Sequence, residues 1–281
     1  MLRRSLSACV LVIACSGLAA AQDREFSRTV PLDAGGSLRV DGSKGSIRIT
    51  GWDRPEVEIR ARIEVPRREE ADYAQRVVEA TRIDVTGQGG WVTVATNYDG
   101  VPSRDGRTGR DSGWSDRTVP AVHYEIRAPR RVALAVDSDR GPAAISGFEG
   151  RFDLVVDRGE LHLSDVAGEL RLEIDRGDRS RIDAFRGSLS IEADRTDLSI
   201  DAQALDRDSR IEVDRGDVEV HVPEGQGLTV NTDISRRGDF RTDFPIEWTT
   251  SDPRHSQGRI NGGGTSLTVE SDRATIELRR R

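Results

Sequence analysis

Cysteine is nearly absent from this chain. Its 281 residues include two, Cys9 and Cys15, and both fall within the first 21 positions. Beyond them there is no thiol for a disulfide, a zinc–cysteine site or a cysteine nucleophile. Aromatic residues make up only 5%, so a core built around large rings is excluded. Long apolar runs are missing after Leu18, and nothing beyond that point is long or apolar enough to form a membrane-crossing helix. Excess positive charge is missing too: the formal net charge is −7, which makes nucleic acid and anionic membrane poor partners.

The first residues, Met1-Leu2-Arg3-Arg4, an apolar stretch from Leu6 to Leu18 and then Ala19-Ala20-Ala21, have the layout of a secretory signal of residues 1–21, with cleavage expected before Gln22. A second route is open, because Val12-Ile13-Ala14-Cys15 resembles a bacterial lipobox whose cysteine would carry a lipid tether. Either route predicts an exported protein, periplasmic, cell-surface or secreted.

At 32% charged and 35% hydrophobic the composition drifts toward disorder, but the order of the residues opposes that. Glycines recur every nine residues at Gly141, Gly150, Gly159, Gly168 and Gly177. Between them apolar side chains alternate with polar ones: Phe152, Leu154 and Val156, then Leu161 and Leu163, then Leu170, Leu172 and Ile174. The same period of two continues through Leu189 and Ile191, Leu198 and Ile200, Ile211 and Val213, and Val218, Val220 and Val222. A period of two means strands with one buried face. The sequence therefore predicts an all-β fold: a single-stranded β-solenoid of stacked short strands, about 18 residues per coil, with one short helix in its N-terminal part.

One turn of each coil is marked by an Asp-Arg pair, at Asp139-Arg140, Asp157-Arg158, Asp175-Arg176, Asp194-Arg195 and Asp214-Arg215, with spacings of 18, 18, 19 and 20 residues. Stacking would line these pairs along one edge, the arginines neutralising an aspartate ladder that would otherwise repel itself. The expectation is a structural, solvated corner ladder. Calcium is the sharper alternative, but its Gly-Gly-x-Gly-x-Asp repeat is absent.

Residues 22–130 read as an N-terminal β region in a degenerate version of the same pattern. The helix is expected over 67–80, where Tyr73, Ala74, Val77 and Val78 have helical spacing after Pro66. Residues 99–117, rich in Gly, Ser, Arg and Asp without period, read as a mobile insertion. Residues 131–281 hold the regular repeats and a C-terminal strand cap, with Arg279-Arg280-Arg281 expected to blunt the open edge.

The order of these features resembles a family of bacterial β-strand-repeat proteins labelled adhesins by proposal, a domain of unknown function from cell envelopes. It is carried by Gly45-Ser46-Ile47-Arg48-Ile49, by Val122-His123-Tyr124-Glu125-Ile126-Arg127-Ala128-Pro129, by the glycine-paced coils, and by Ile260-Asn261-Gly262-Gly263-Gly264. The resemblance implies an extracytoplasmic β-solenoid and supplies no catalytic residues.

His123, His162, His221 and His255 stand apart with no metal-ligand spacing, and no phosphate loop, nucleophile elbow or dinucleotide fingerprint is present. No metal, cofactor or catalytic residue is expected. Trp114 and Trp248 fall outside the strand pattern and are the candidate ligand contacts, whereas Trp52 and Trp91 at strand ends read as core or cap. The sequence thus favours a non-enzymatic, adhesin-like binding or structural module for an envelope glycan or protein. The alternatives are a carbohydrate-active enzyme on a β-helix scaffold, which is fold analogy alone, and a component of envelope-stress signalling.

Overall fold

A computed structural model describes residues 22–103, 119–177, 179–252 and 254–281. Residues 1–21 with Cys15, and Trp114 with most of the 99–117 insertion, lie outside the described residues. The chain runs β1 (Arg24–Gly42), β2 (Ile47–Trp52), β3 (Glu56–Ile63), α1 (Ala71–Ala80), β4 (Arg82–Asn97), β5 (Val122–Pro129), β6 (Arg131–Arg140), β7 (Ala143–Arg158) and β8 (Leu161–Arg176). It continues through β9 (Arg179–Ala193), β10 (Asp197–Leu205), β11 (Ser209–Val222), β12 (Leu228–Ile234), β13 (Asp239–Thr242), β14 (Glu247–Ser251), β15 (His255–Ile260) and β16 (Thr265–Arg280). All sixteen strands belong to one continuous sheet.

From β6 onward the coils stack in parallel as the glycine beat requires. The register carries one inward column through Ile126, Ile49, Ile145, Leu163, Ile182, Ile200, Val220 and Leu278, none more than 1% exposed. A second column runs Val136, Leu154, Leu172, Ile191, Ile211 and Val269 on the facing side of the coil. Each of these side chains contributes roughly 1.5–3 kcal/mol through burial, so aliphatic ladders carry most of the core, with Tyr124, Phe152 and Phe185 the largest side chains buried among them.

The nine-residue beat is two stacked glycine columns. At one corner Gly141 and Gly159 stack with φ of 135° and 157°, and a Cβ on either would overlap a carbonyl of the coil below. At the opposite bend Gly150, Gly168 and Gly187 do the same. Where the coil lengthens, Thr196 takes the glycine's place. Its hydroxyl accepts from the Gly177 N–H at 2.8 Å and donates to the Gly177 carbonyl, replacing a backbone rung.

The N-terminal region differs from a degenerate solenoid. β1 pairs antiparallel with β3, β3 antiparallel with β5, and β5, β2, β7, β6 and β1 then pair in parallel, which closes a ring of six strands. The reason is the Trp52–Glu56 turn, which sends β3 back alongside its neighbours instead of onward into a coil; the indole N–H of Trp52 donates to the Glu56 carbonyl at 2.8 Å. The helix is one turn shorter than expected, starting at Ala71, but buries Tyr73, Ala74, Val77 and Val78 as its spacing predicts. Thr81 ends it, its hydroxyl donating to the Val77 carbonyl at 2.9 Å.

The C-terminal strand also departs from expectation. β16 is slotted between β11 on one side and β12 and β13 on the other. Arg279 and Arg280 therefore pair with His221 and Val222 inside the sheet and do not guard an edge. The edge at this end belongs to the antiparallel hairpin of β14 and β15, joined to β12.

Candidate binding surfaces

At the corners Asp-Arg pairs stack and link successive coils from Asp157 onward. Arg176 lies 2.8 Å from Asp175 of its own coil and 3.0 Å from Asp157 of the coil before, and Arg195 repeats this with Asp194 at 2.8 Å and Asp175 at 3.0 Å. Arg215 lies 3.1 Å from Asp214 and 4.0 Å from Asp194. Among the described residues Arg140 and Arg158 pair with Asp139 and Asp157 of their own corners. Burial pushes the Asp157 and Asp214 carboxyls up, but the opposing hydrogen bonds and nearby arginines outweigh it and hold both below the usual carboxylate range. Hydrogen bonds to Asp157 and Asp175 raise Arg176 and Arg195 respectively.

A sixth rung, Asp272–Arg273, completes the ladder: Arg273 lies 3.0 Å from Asp272 and 3.4 Å from Asp214. Sequence reasoning missed it because Ala274 stands where earlier corners carry glycine or threonine. A longer signal was present, since Glu-x-Asp-Arg occurs at Glu173, Glu192, Glu212 and Glu270. The register stacks those four glutamates into an outward acidic column beside the ladder. Arg210 serves its lower half, 3.5 Å from Glu212 and 2.5 Å from Glu270.

Two polar troughs open on the outside. One, about 380 Å³, is walled by Arg179, Arg181, Asp217, Glu219 and Glu277. The other, about 600 Å³, lies between the ladder's end and the hairpin, beside Asp214, Asp233, Arg254 and His255. His162, His221 and His255 each face one carboxylate, at 3.4, 2.8 and 3.2 Å. Among the described residues no group of three His, Cys, Asp or Glu is arranged to hold a metal.

Trp248 is 45% exposed and sits on β14, the last strand of the sheet path. It continues the column of buried Val230 across Gly258, whose missing side chain makes room for the indole. It therefore ends the core column and still offers an open ring face. Trp91 corrects the core-or-cap expectation: it is 52% exposed, because it stands at an outward position of β4, the opposite end of the same path, packed over Gly87. Trp52 is half-buried, with Arg54 over its ring at 5.0 Å.

A family model described as Toastrack DUF4097 matches residues 128–279. Among solved structures, a proposed cell adhesion protein from Clostridium sporogenes aligns at 11% identity and a TM-score of 0.37, covering 92% of this chain and 100% of that one. A proposed adhesin from Bacteroides fragilis aligns at 9% and 0.35, covering 93% and 99%. A proposed lipid binding protein from Parabacteroides distasonis aligns at 10% and 0.27, covering 92% and 96%. No curated protein matches.

Proposed function

Because this chain belongs to the Toastrack DUF4097 family, we propose that it is an adhesin-like module of the cell envelope whose stacked coils bind without catalysis, presenting their repetitive outer surface to a glycan or protein partner. The observation that carries this reading is the ladder with its flanking glutamates. Six Asp-Arg rungs at about 4.8 Å spacing give a surface of one chemistry roughly 24 Å long, held rigid by a continuous core. Such a surface suits a partner that repeats or lies extended. Glycoside cleavage needs two carboxyl groups facing each other across the bond that breaks. Ladder carboxylates instead point the same way from adjacent strands, most of them tied to an arginine.

Export by the signal of residues 1–21, with or without a lipid on Cys15, belongs to the same proposal. No helix of the described residues is long and apolar enough to cross a membrane. The test is a binding screen of the full chain against envelope glycans and surface proteins. Trp248→Ala should weaken binding if the hairpin end takes part, and Trp114→Ala examines the insertion in the same way. Polysaccharide turnover abolished by one ladder substitution would overturn the proposal.

A further inference from the structure

On the outer face of the six-stranded ring, three polar side chains distant in sequence form a relay. The Ser46 hydroxyl lies 2.9 Å from His123 Nδ1, and His123 Nε2 lies 2.9 Å from Glu64 Oε2. Sheet geometry builds it. The parallel register of Ile47 with Tyr124 sets Ser46 beside His123, and the antiparallel register of Ile63 with Val122 extends to Glu64, whose N–H donates to the Ala121 carbonyl. Gly45, at φ 120°, lets the chain turn tightly against Val122 just before Ser46.

The hydrogen bonds also select a tautomer. The backbone N–H of Ser46 donates to His123 Nδ1 at 3.3 Å, so that nitrogen carries a lone pair and Nε2 carries the hydrogen given to Glu64. A lone pair facing a serine hydroxyl, with a carboxylate orienting the ring from behind, is the arrangement that activates a serine nucleophile. The hydrogen bond from His123 holds the Glu64 carboxyl below its usual range, so it stays ionised behind the ring. The group is half-buried, with His123 and Glu64 side chains 28% and 26% exposed. Ser46 and His123 open into a cavity of about 380 Å³ lined also by Glu25, Arg48, Arg60, Arg62 and Glu125. Arg62 is tied to Asp23 and Arg60 to Glu58, and Arg48 stands opposite Glu125 in the register.

We propose that Ser46, His123 and Glu64 form an ester-cleaving site for small uncharged esters, an activity additional to the binding role. Ser46 Oγ bonds to the ester carbonyl carbon as its proton passes to His123 Nδ1. The carbon–alkoxide bond then breaks, and the alkoxide takes that proton from His123 and leaves as the alcohol. Water, giving a proton to the same nitrogen, attacks the acyl-serine, releases the carboxylic acid and returns the proton to Ser46. Ser46 and His123 are the catalytic residues, and Glu64 positions the imidazole.

The test treats the full chain with a fluorophosphonate reagent and maps the adduct by mass spectrometry. One phosphonyl group on Ser46 is expected, absent in Ser46→Ala and formed about 100-fold more slowly in His123→Ala. Glu64→Gln should lower the maximal labelling rate at saturating reagent while the half-saturating concentration holds, which a merely structural role would not produce. Hydrolysis of p-nitrophenyl acetate should exceed that of p-nitrophenyl hemisuccinate, whose carboxylate would meet Glu25 and Glu125. Unchanged circular dichroism and melting certify each variant as folded. An unlabelled Ser46 in the wild-type chain, or labelling that ignores His123, overturns the proposal and leaves the binding role standing.

Discussion

The carbonyl oxygen of Gly168 occupies the space that a Cβ on Gly187 would need. Gly187 also holds φ at 135°, a conformation that side-chain-bearing residues rarely adopt. Gly187→Ala should therefore lower stability by about 2–5 kcal/mol, read by urea denaturation. Three residues earlier, Ala184 sits at φ 54° on the same bend, where Gly147 stands two coils before. Ala184→Gly should raise stability by up to about 1 kcal/mol, because only the strained residue is relieved. A neutral Gly187→Ala would mean that coils do not touch through this column.

Leu172 is 1% exposed between Leu154 and Ile191. Leu172→Ala should cost about 2–5 kcal/mol, and Leu172→Asp about 4 kcal/mol or more, since its carboxylate would enter an apolar ladder without a partner. Far-UV circular dichroism across a melt is the measurement. A Leu172→Asp chain melting like wild type would refute the inward assignment.

Asp137 and Asp157 give opposite pH responses. Burial first, then the neighbouring Asp41, raises the Asp137 carboxyl above its ordinary range, so its ionised form is unfavourable in the fold. Asp137→Asn should melt higher than wild type at pH 7, and the two should converge as pH falls to about 4 and below, where wild type binds the proton.

Asp157 is held low by its arginine and aspartate contacts, which outweigh its burial, so its contribution is present above the ordinary carboxylate pKa and lost as pH falls below about 4. Asp157→Asn should show a shallower loss of stability in that window. Added salt should weaken the ladder slightly at neutral pH, because its members are a third to a half exposed.

The two export routes differ by a covalent lipid. Mass spectrometry of the native N-terminus should find a peptide beginning at Gln22; a diacylglyceryl Cys15 would establish the lipoprotein route instead.

Legibility in the sequence followed distance along the chain. The coils from Gly141 to Val222 could be read because each strand pairs with the one about 18 residues away, so glycine, aspartate and aliphatic periods coincide. The ring could not, since Ile126 meets Ile59 and Ile49 only through turns that leave no period. The Asp272–Arg273 rung was hidden by the 58 residues separating Asp214 from Asp272, though its Glu-x-Asp-Arg signature was on view. Ser46, Glu64 and His123 meet across separations of 77 and 59 residues. Trp91 misled because a strand-end tryptophan next to glycines reads the same whether it faces in or out.

The slot filled by β16 sets an order of assembly. A chain emerging N-terminus first can add coils one after another as far as Val222, each docking on the last. β12 and β13 then cannot join the stack until Thr265–Arg280 has arrived, because that segment lies between them and β11. The final fifth of the chain must close as one long-range event, the kind of contact that slows folding. Growth of the stack by simple vectorial zippering therefore stops at Val222, and completion waits for the C-terminus.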